Sequence, residues 1–190
     1  MDSNSIPLAI PDIGQEERDV LLEILDSGWL THGPYNSKLE QQFCDLLQVP
    51  HAVCVNSCTS ALEIAIKTSG ITGEVIVPSF TWVASANAVV TAGATPVFCD
   101  SDIATRNVTA EHIESLINQA TEAVMVVHYG GQCCLMDEIT TLCNKHKLLL
   151  IEDSAETIGG TWKGRQAGSW GIGCFSFFPT KNITTGEGGM

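Results

Sequence analysis

Residues 148–153 read Leu-Leu-Leu-Ile-Glu-Asp, so two acids directly follow four apolar residues. A short, continuously apolar run is typical of a strand that is buried on both faces of a parallel sheet. Side chains alternate along a strand, so we expect Glu152 and Asp153 on opposite faces. Asp153 would then lie in a low-dielectric site, where a carboxylate needs a cationic or hydrogen-bonding partner. A helix cap or a supporting acid is the alternative interpretation of Asp153.

Outward from this run, short apolar strands alternate with amphipathic helices along most of the chain. This alternation predicts an α/β fold with a mostly parallel (mixed) sheet that carries helices on both faces. Residues 1–50 are predicted to form an N-terminal helical segment, and residues 51–190 the sheet domain. We expect strands at 52–55, 74–77, 95–98, 123–127, 148–151 and 173–177, and helices at 16–26, 37–47, 59–67, 83–92, 109–118 and 136–146.

Polar and aromatic side chains gather where the predicted strands end. Ligands of parallel sheets bind at the carboxyl ends of the strands, so these segments are expected to meet in one site. They are residues 56–60, 78–82, 128–131, 153–156 and 176–181.

A lysine, Lys181, lies between an apolar strand and a turn at 186–189 that reads Gly-Glu-Gly-Gly. Such an amine, with Asp153 on another strand, suits an aldehyde cofactor held as a Schiff base, with the acid opposing the ring nitrogen. Lys181 must lose a proton to act as a nucleophile, and a desolvated pocket favours that loss. The glycines permit a sharp turn and a close backbone approach.

Three further groups are candidates for binding a flat, phosphorylated ligand. Thr59 and Ser60 begin a predicted helix whose backbone N–H groups can hold an anion, although an ordinary helix cap is the alternative. Trp82 is a candidate to stack on a ring; Phe80 is the rival, and core packing the other alternative. His128 and Tyr129 are expected to line the floor of the site, with no direct catalytic role assigned to His128.

Composition excludes several classes of function. The formal net charge of −13 argues against nucleic acid and against an anionic membrane surface as partners. Eight cysteines form no CxxC pair and no ligand cluster, which predicts free, buried thiols and no metal site. The first seven residues lack a secretory pattern, and no apolar run is long enough to span a bilayer. We therefore expect a cytoplasmic protein.

The motifs in combination resemble the sugar aminotransferases of the DegT/DnrJ/EryC1/StrS family, which are fold type I pyridoxal-phosphate enzymes. The resemblance rests on residues 28–34, 77–82, 153–156, 176–181 and 184–189. It implies pyridoxal 5'-phosphate as cofactor, Lys181 as Schiff-base lysine and proton shuttle, and Asp153 as partner of the ring nitrogen. The cofactor-binding residues that it implies are Thr59, Ser60, Trp82, Asp153, Glu156, Ser176 and Lys181.

The same resemblance implies transfer of an amino group from L-glutamate to a nucleotide-linked keto-deoxy sugar by a homodimer. Polysaccharide biosynthesis, such as that of O-antigen, is the implied setting. Glu156 stands where many members have His or Gln and is similar to perosamine-synthase-like members. Lys181 points to amino transfer, because members that dehydrate the sugar have His there.

Members of the family are about twice as long as this chain. Residues 51–190 are therefore expected to be a partial pyridoxal-phosphate-binding large domain, incomplete at its C-terminus and without the small C-terminal domain. Two alternatives stay open at this point. One is a cofactor-binding regulator or an inactive truncated remnant of such an enzyme, and the other is a fold type I enzyme that acts on an amino acid.

Overall fold

A five-stranded parallel sheet forms the centre of the computed structural model, which describes residues 6–190. The order of its strands is β2-β1-β3-β4-β7, and every neighbouring pair is parallel. This arrangement confirms the predicted α/β class. The strands of this sheet are β1 (Glu74–Pro78), β2 (Thr95–Cys99), β3 (Thr121–Val127), β4 (Leu149–Asp153) and β7 (Ile172–Cys174), and a separate antiparallel hairpin joins β5 (Thr161–Trp162) to β6 (Arg165–Gln166).

Helices cover both faces of the sheet. Successive residues of a strand point to opposite faces, so one strand packs against helices on both sides. Val75 and Val77 pack with α3 and α4 in one apolar cluster, whereas Ile76 packs with α5 and α6 in another. The helices are α1 (Gln15–Ser27), α2 (Pro34–Leu47), α3 (Cys58–Thr68), α4 (Val83–Ala92), α5 (Ala110–Glu114) and α6 (Met136–His146).

A third apolar cluster joins α2 to the chain that follows β7. The ring of Phe43 meets the rings of Phe175 and Phe177 edge-on, at centroid distances of 5.3 and 5.5 Å. Helix α1 differs, since it buries none of its residues. Its apolar residues Val20, Leu21 and Leu25 are exposed.

The predicted strand at 52–55 is wrong. Only Val55 makes a ladder contact, an isolated antiparallel bridge to Gly189. The backbone N–H of Cys54 instead donates to Oε1 of Glu40 on α2 at 2.9 Å, so a helix side chain replaces a neighbouring strand. The division of the chain at residue 50 stays a prediction.

Three predicted elements have clearly different bounds in the structure. Helix α5 ends at Glu114, because Leu116 and Ile117 bond back three residues in turns rather than four. Strand β7 ends at Cys174, and the predicted continuation to residue 177 pairs with the segment 188–190. Strand β4 extends to Asp153, so this acid is part of the strand itself.

All eight cysteines are free, and six of them are buried, whereas Cys44 and Cys54 are half-buried and depart from the expectation. Within residues 6–190, no helix combines the length and the hydropathy that crossing a membrane requires. The same residues contain no group of three or more His, Cys, Asp or Glu side chains placed to hold a metal ion.

Candidate active site

A cleft opens at the carboxyl ends of β1, β3 and β4. It has two lobes, of about 270 and 530 Å³. Both lobes are lined by the same five residues, which confirms that the segments after the strand ends meet. The shared residues are Trp82, Asp153, Ala155, Glu156 and Lys181.

Aromatic side chains form one wall of the smaller lobe. The rings of Phe80 and Tyr129 pack against each other with centroids 4.7 Å apart. Trp82 is 78% exposed, and its ring pairs with no other aromatic ring among residues 6–190. Of the two stacking candidates, Trp82 therefore has the free ring face.

The start of helix α3 forms one end of the larger lobe. Ser57 caps this helix, because its Oγ accepts the backbone N–H of Ser60 at 3.1 Å. The N–H groups of Cys58 and Thr59 bond to no other group in the described part of the chain. Thr59 lines the lobe, as does Ser176 after β7. Ser60 lies one step back, with its hydroxyl 3.1 Å from Ser57 Oγ.

Asp153 is a buried acid that faces the cleft. It is only 6% exposed, and burial raises the pKa of its carboxyl, although its hydrogen bonds and the charge of Lys181 oppose the rise. Oδ2 accepts the hydroxyl of Ser85 at 2.7 Å, and Oδ1 accepts the N–H of Ala155 at 3.2 Å. The thiol of Cys58 lies 3.8 Å from Oδ1.

Lys181 reaches the cleft from a closed loop. The ends of this loop are joined, because the N–H of Phe177 donates to the carbonyl of Gly188 at 3.0 Å. Lys181 Nζ donates to Oε1 of Glu156 at 3.1 Å, and its side chain is 23% exposed. The other oxygen of Glu156 accepts the N–H of Gly130 at 3.0 Å, which holds the carboxylate in place.

Glu152 lies on the opposite face of β4, as predicted, and lines neither lobe. It is fully buried and accepts four hydrogen bonds, one of them from His128 Nε2 at 2.9 Å. His128 Nδ1 accepts the N–H of Cys134 at 3.2 Å, so both ring nitrogens are already engaged. The other three donors to Glu152 are the backbone N–H groups of Gly168, Trp170 and Gly171.

Sequence reasoning missed Ser85 and the structural role of Glu152. Ser85 is fully buried in the first turn of α4, four residues after Thr81. No pattern in the sequence pairs Ser85 with Asp153, because the two residues lie 68 positions apart. The donors to Glu152 likewise come from a loop that lies 16–19 residues further along the chain.

The donor set fits a flat aldehyde cofactor that carries a phosphate. Asp153 is a buried carboxylate that forms no ion pair within the described residues, and a protonated ring nitrogen supplies one. The open N–H groups at the start of α3 suit a phosphate. Lys181 is the one amine that lines either lobe among residues 6–190.

Comparison with known proteins gives the same assignment. A sequence profile of the DegT/DnrJ/EryC1/StrS aminotransferase family matches residues 11–190. The chain belongs to this family. The family is pyridoxal-phosphate-dependent. Over 193 aligned positions the chain is 46% identical to the GDP-perosamine synthase of Caulobacter vibrioides, covering 100% of this chain and 52% of that protein.

Solved structures of family members share the fold. The aminotransferase from Psychrobacter cryohalolentis superposes with a TM-score of 0.92 at 39% identity, over 94% of this chain and 47% of that one. The PLP form of Spr1654 from Streptococcus pneumoniae superposes with a TM-score of 0.92 at 33% identity, over 97% and 52%. This chain therefore spans about half the length of the relatives that it matches.

Proposed function

We propose that this protein is a pyridoxal-phosphate-dependent aminotransferase that moves an amino group from L-glutamate to a nucleotide-linked keto-deoxy sugar. The observation that carries the proposal is the meeting of Lys181 and the buried Asp153 in both lobes of one cleft. The similarity to a GDP-perosamine synthase supports a nucleotide-linked sugar as the amino acceptor.

The proposed role of each site residue is supported by its position in or beside the cleft. Asp153 is the partner of the ring nitrogen, since it is the buried carboxylate that lines both lobes. Trp82 offers a free ring face for stacking. The phosphate is held at the start of α3 by Thr59, with Ser176 from the other side and Ser60 supporting the cap.

Bound pyridoxal phosphate supplies an electron sink for the carbon that loses its proton. Lys181 is the Schiff-base lysine and afterwards the base that carries this proton, because no other amine lines the cleft among residues 6–190. Glu156 orients Lys181 Nζ through their contact at 3.1 Å. The N–H of Gly130 keeps Glu156 in position for this task.

The first test is a covalent label. The full chain is incubated with pyridoxal phosphate, reduced with borohydride and mapped by peptide mass. We expect the cofactor on the peptide that contains Lys181, because this amine alone among the described lysines lines the cleft. A label on another lysine, or no label, would contradict the proposal.

A second measurement follows the transferred nitrogen. With ¹⁵N-labelled L-glutamate, appearance of ¹⁵N in an amino sugar separates this function from that of an enzyme acting on an amino acid alone.

A second prediction concerns Gly189, which lies against the first turn of α3. A Cβ at this position would come within 2.6 Å of the backbone nitrogen of Cys58. Overpacking of this kind costs about 1–3 kcal/mol, which lowers the melting temperature by roughly 2–12 °C. Because the start of α3 is the proposed phosphate site, Gly189→Ala should also weaken pyridoxal phosphate binding by about tenfold, measured by fluorescence titration.

Gly186→Ala is the matched control for this substitution. Gly186 belongs to the same turn, and a Cβ there would meet nothing within 4 Å. Its φ of 83° makes alanine strained, so the control also loses stability. The affinity for the cofactor should nevertheless stay at the wild-type value. Equal affinities in the two variants would show that Gly189 does not position the phosphate site.

The homodimer, the cytoplasmic location and a role in O-antigen synthesis stay predictions.

A further inference from the structure

Ser85 is a fully buried hydroxyl that points at the carboxylate of the site. Its Oγ donates to Asp153 Oδ2 at 2.7 Å, the usual length of a hydrogen bond from a hydroxyl donor. It belongs to α4, whereas Asp153 ends β4, so the contact joins two elements that lie 68 residues apart. Ser85 lines neither lobe and is thus placed behind the acid.

A second hydroxyl, that of Thr81 in the wall of the smaller lobe, contacts the first one. Thr81 Oγ1 lies 2.7 Å from Ser85 Oγ. Ser85 has a single hydroxyl hydrogen, and Asp153 receives it, so Thr81 must donate to Ser85. The two O–H dipoles therefore point the same way, toward Asp153, and such chains strengthen each bond in a low-dielectric interior.

We propose that Ser85, backed by Thr81, is a positioning residue that keeps Asp153 charged and aimed into the cleft. The need for such a device follows from burial, because desolvation favours the neutral acid, which cannot hold a protonated ring nitrogen. A hydrogen-bond donor that lines neither lobe stabilises the charge of the carboxylate. It leaves the side of the carboxylate that faces the cleft free to pair with the cofactor. The catalytic part of this inference rests on the proposed function; the effect on the carboxyl group does not.

Ser85 is the one donor to Oδ2 of Asp153 among the described residues, while the N–H of Ala155 donates to Oδ1. The neighbouring thiols of Cys58 and Cys174 stay neutral, because burial raises the pKa of each. The pKa of Cys58 is raised well above its ordinary value. Lys181 Nζ is engaged by Glu156, and His128 Nε2 by Glu152. The titratable or polar groups around Asp153 are Cys58 from α3, Ser85 from α4 with Thr81 before it, His128 directly after β3, Cys174 from β7, the N–H of Ala155, and Glu156 and Lys181 in the cleft.

The test is a carboxyl titration of the full chain without cofactor. The protein is labelled with ¹³C at aspartate carboxyls, and the Asp153 signal is assigned by its loss in Asp153→Asn. In Ser85→Ala the midpoint of this signal should move to higher pH, because the charged form loses its donor. In the protein loaded with pyridoxal phosphate, the acid limb of the pH–rate profile should move the same way, with turnover on that side about tenfold lower.

Ser154→Ala is the matched control. Ser154 follows Asp153, is fully buried, and its hydroxyl has no partner in the described chain. Removing the hydroxyl in Ser154→Ala should leave the titration midpoint of Asp153 unchanged. Ser85→Thr, which keeps the hydroxyl, should restore the wild-type midpoint. Thr81→Val removes the hydroxyl that donates to Ser85 but keeps Ser85 itself. It should move the Asp153 midpoint in the same direction as Ser85→Ala, by a smaller amount.

The outcomes separate the two proposals. The inference is overturned if the titration midpoint of Asp153 in Ser85→Ala equals its midpoint in wild type and in Ser154→Ala. If Ser85→Ala does not fold, the titration of Thr81→Val decides, and an unchanged midpoint there is the contrary result. If wild type takes up no pyridoxal phosphate, the proposed function fails, while the titration still tests the role of Ser85.

Discussion

Replacing Lys181 by alanine is expected to lower turnover by at least about 10³-fold. The reason is that the variant loses both the amine that binds the cofactor covalently and the base that moves the proton. No other lysine lines either lobe in the part of the chain that the structure describes, so none can substitute. The measurement is steady-state transfer from L-glutamate, together with borohydride labelling, which should find no cofactor-bearing peptide.

The loss should not come from unfolding. Lys181 pairs with Glu156, a carboxylate that is 43% exposed, and pairs of this kind contribute little to stability. The melting temperature should therefore change by less than about 4 °C. Lys67→Ala, which removes a lysine paired with Glu63 on the outer side of α3, is the matched control and should keep full turnover. Turnover of Lys181→Ala within tenfold of wild type would refute the assignment.

The substitution Asp153→Asn should lower turnover by about 10³-fold while the protein stays folded. An amide has the shape of the carboxyl but carries no charge, so it cannot keep the cofactor ring nitrogen protonated. The hydrogen bonds can adapt. The amide oxygen accepts from the N–H of Ala155, and its NH₂ donates to Ser85, whose hydroxyl then turns toward Thr81.

Stability should change in the opposite direction from activity. Burial raises the pKa of Asp153, so the folded state binds this proton more tightly than the unfolded chain does. Wild type therefore loses stability as the pH rises from the ordinary carboxyl range through the raised value. Asparagine has no carboxyl proton to lose. We therefore expect the melting temperature of Asp153→Asn at neutral pH to equal or exceed that of wild type.

Asp137→Asn serves as control, because it removes one acid at the surface, where Asp137 pairs with Lys163. It should leave turnover unchanged. If Asp153→Asn instead unfolds the protein and the folded fraction keeps its turnover, Asp153 has a structural role only.

Much of the site could be predicted because its parts are local in sequence. Asp153 follows an apolar strand, Lys181 precedes a glycine-rich turn, and Thr59 begins a helix, so each is identified by its immediate neighbours. Parallel strands then bring these ends together at one edge of the sheet. The predicted strand at 52–55 failed for the converse reason, since the partner of Cys54 is a side chain 14 residues away.

The sequence by itself determined the order of the six helices and of the five strands of the main sheet, the opposite faces of Glu152 and Asp153, and the segments that meet in the cleft. These follow from periods of two and 3.6 residues and from the direction of parallel strands. Tertiary structure alone decided what surrounds each carboxylate: the Ser85 hydroxyl, itself in contact with Thr81, at Asp153, and four donors around Glu152. Hydrogen bonds between distant segments depend on distances of a few ångströms, and no pattern of neighbouring residues encodes such distances.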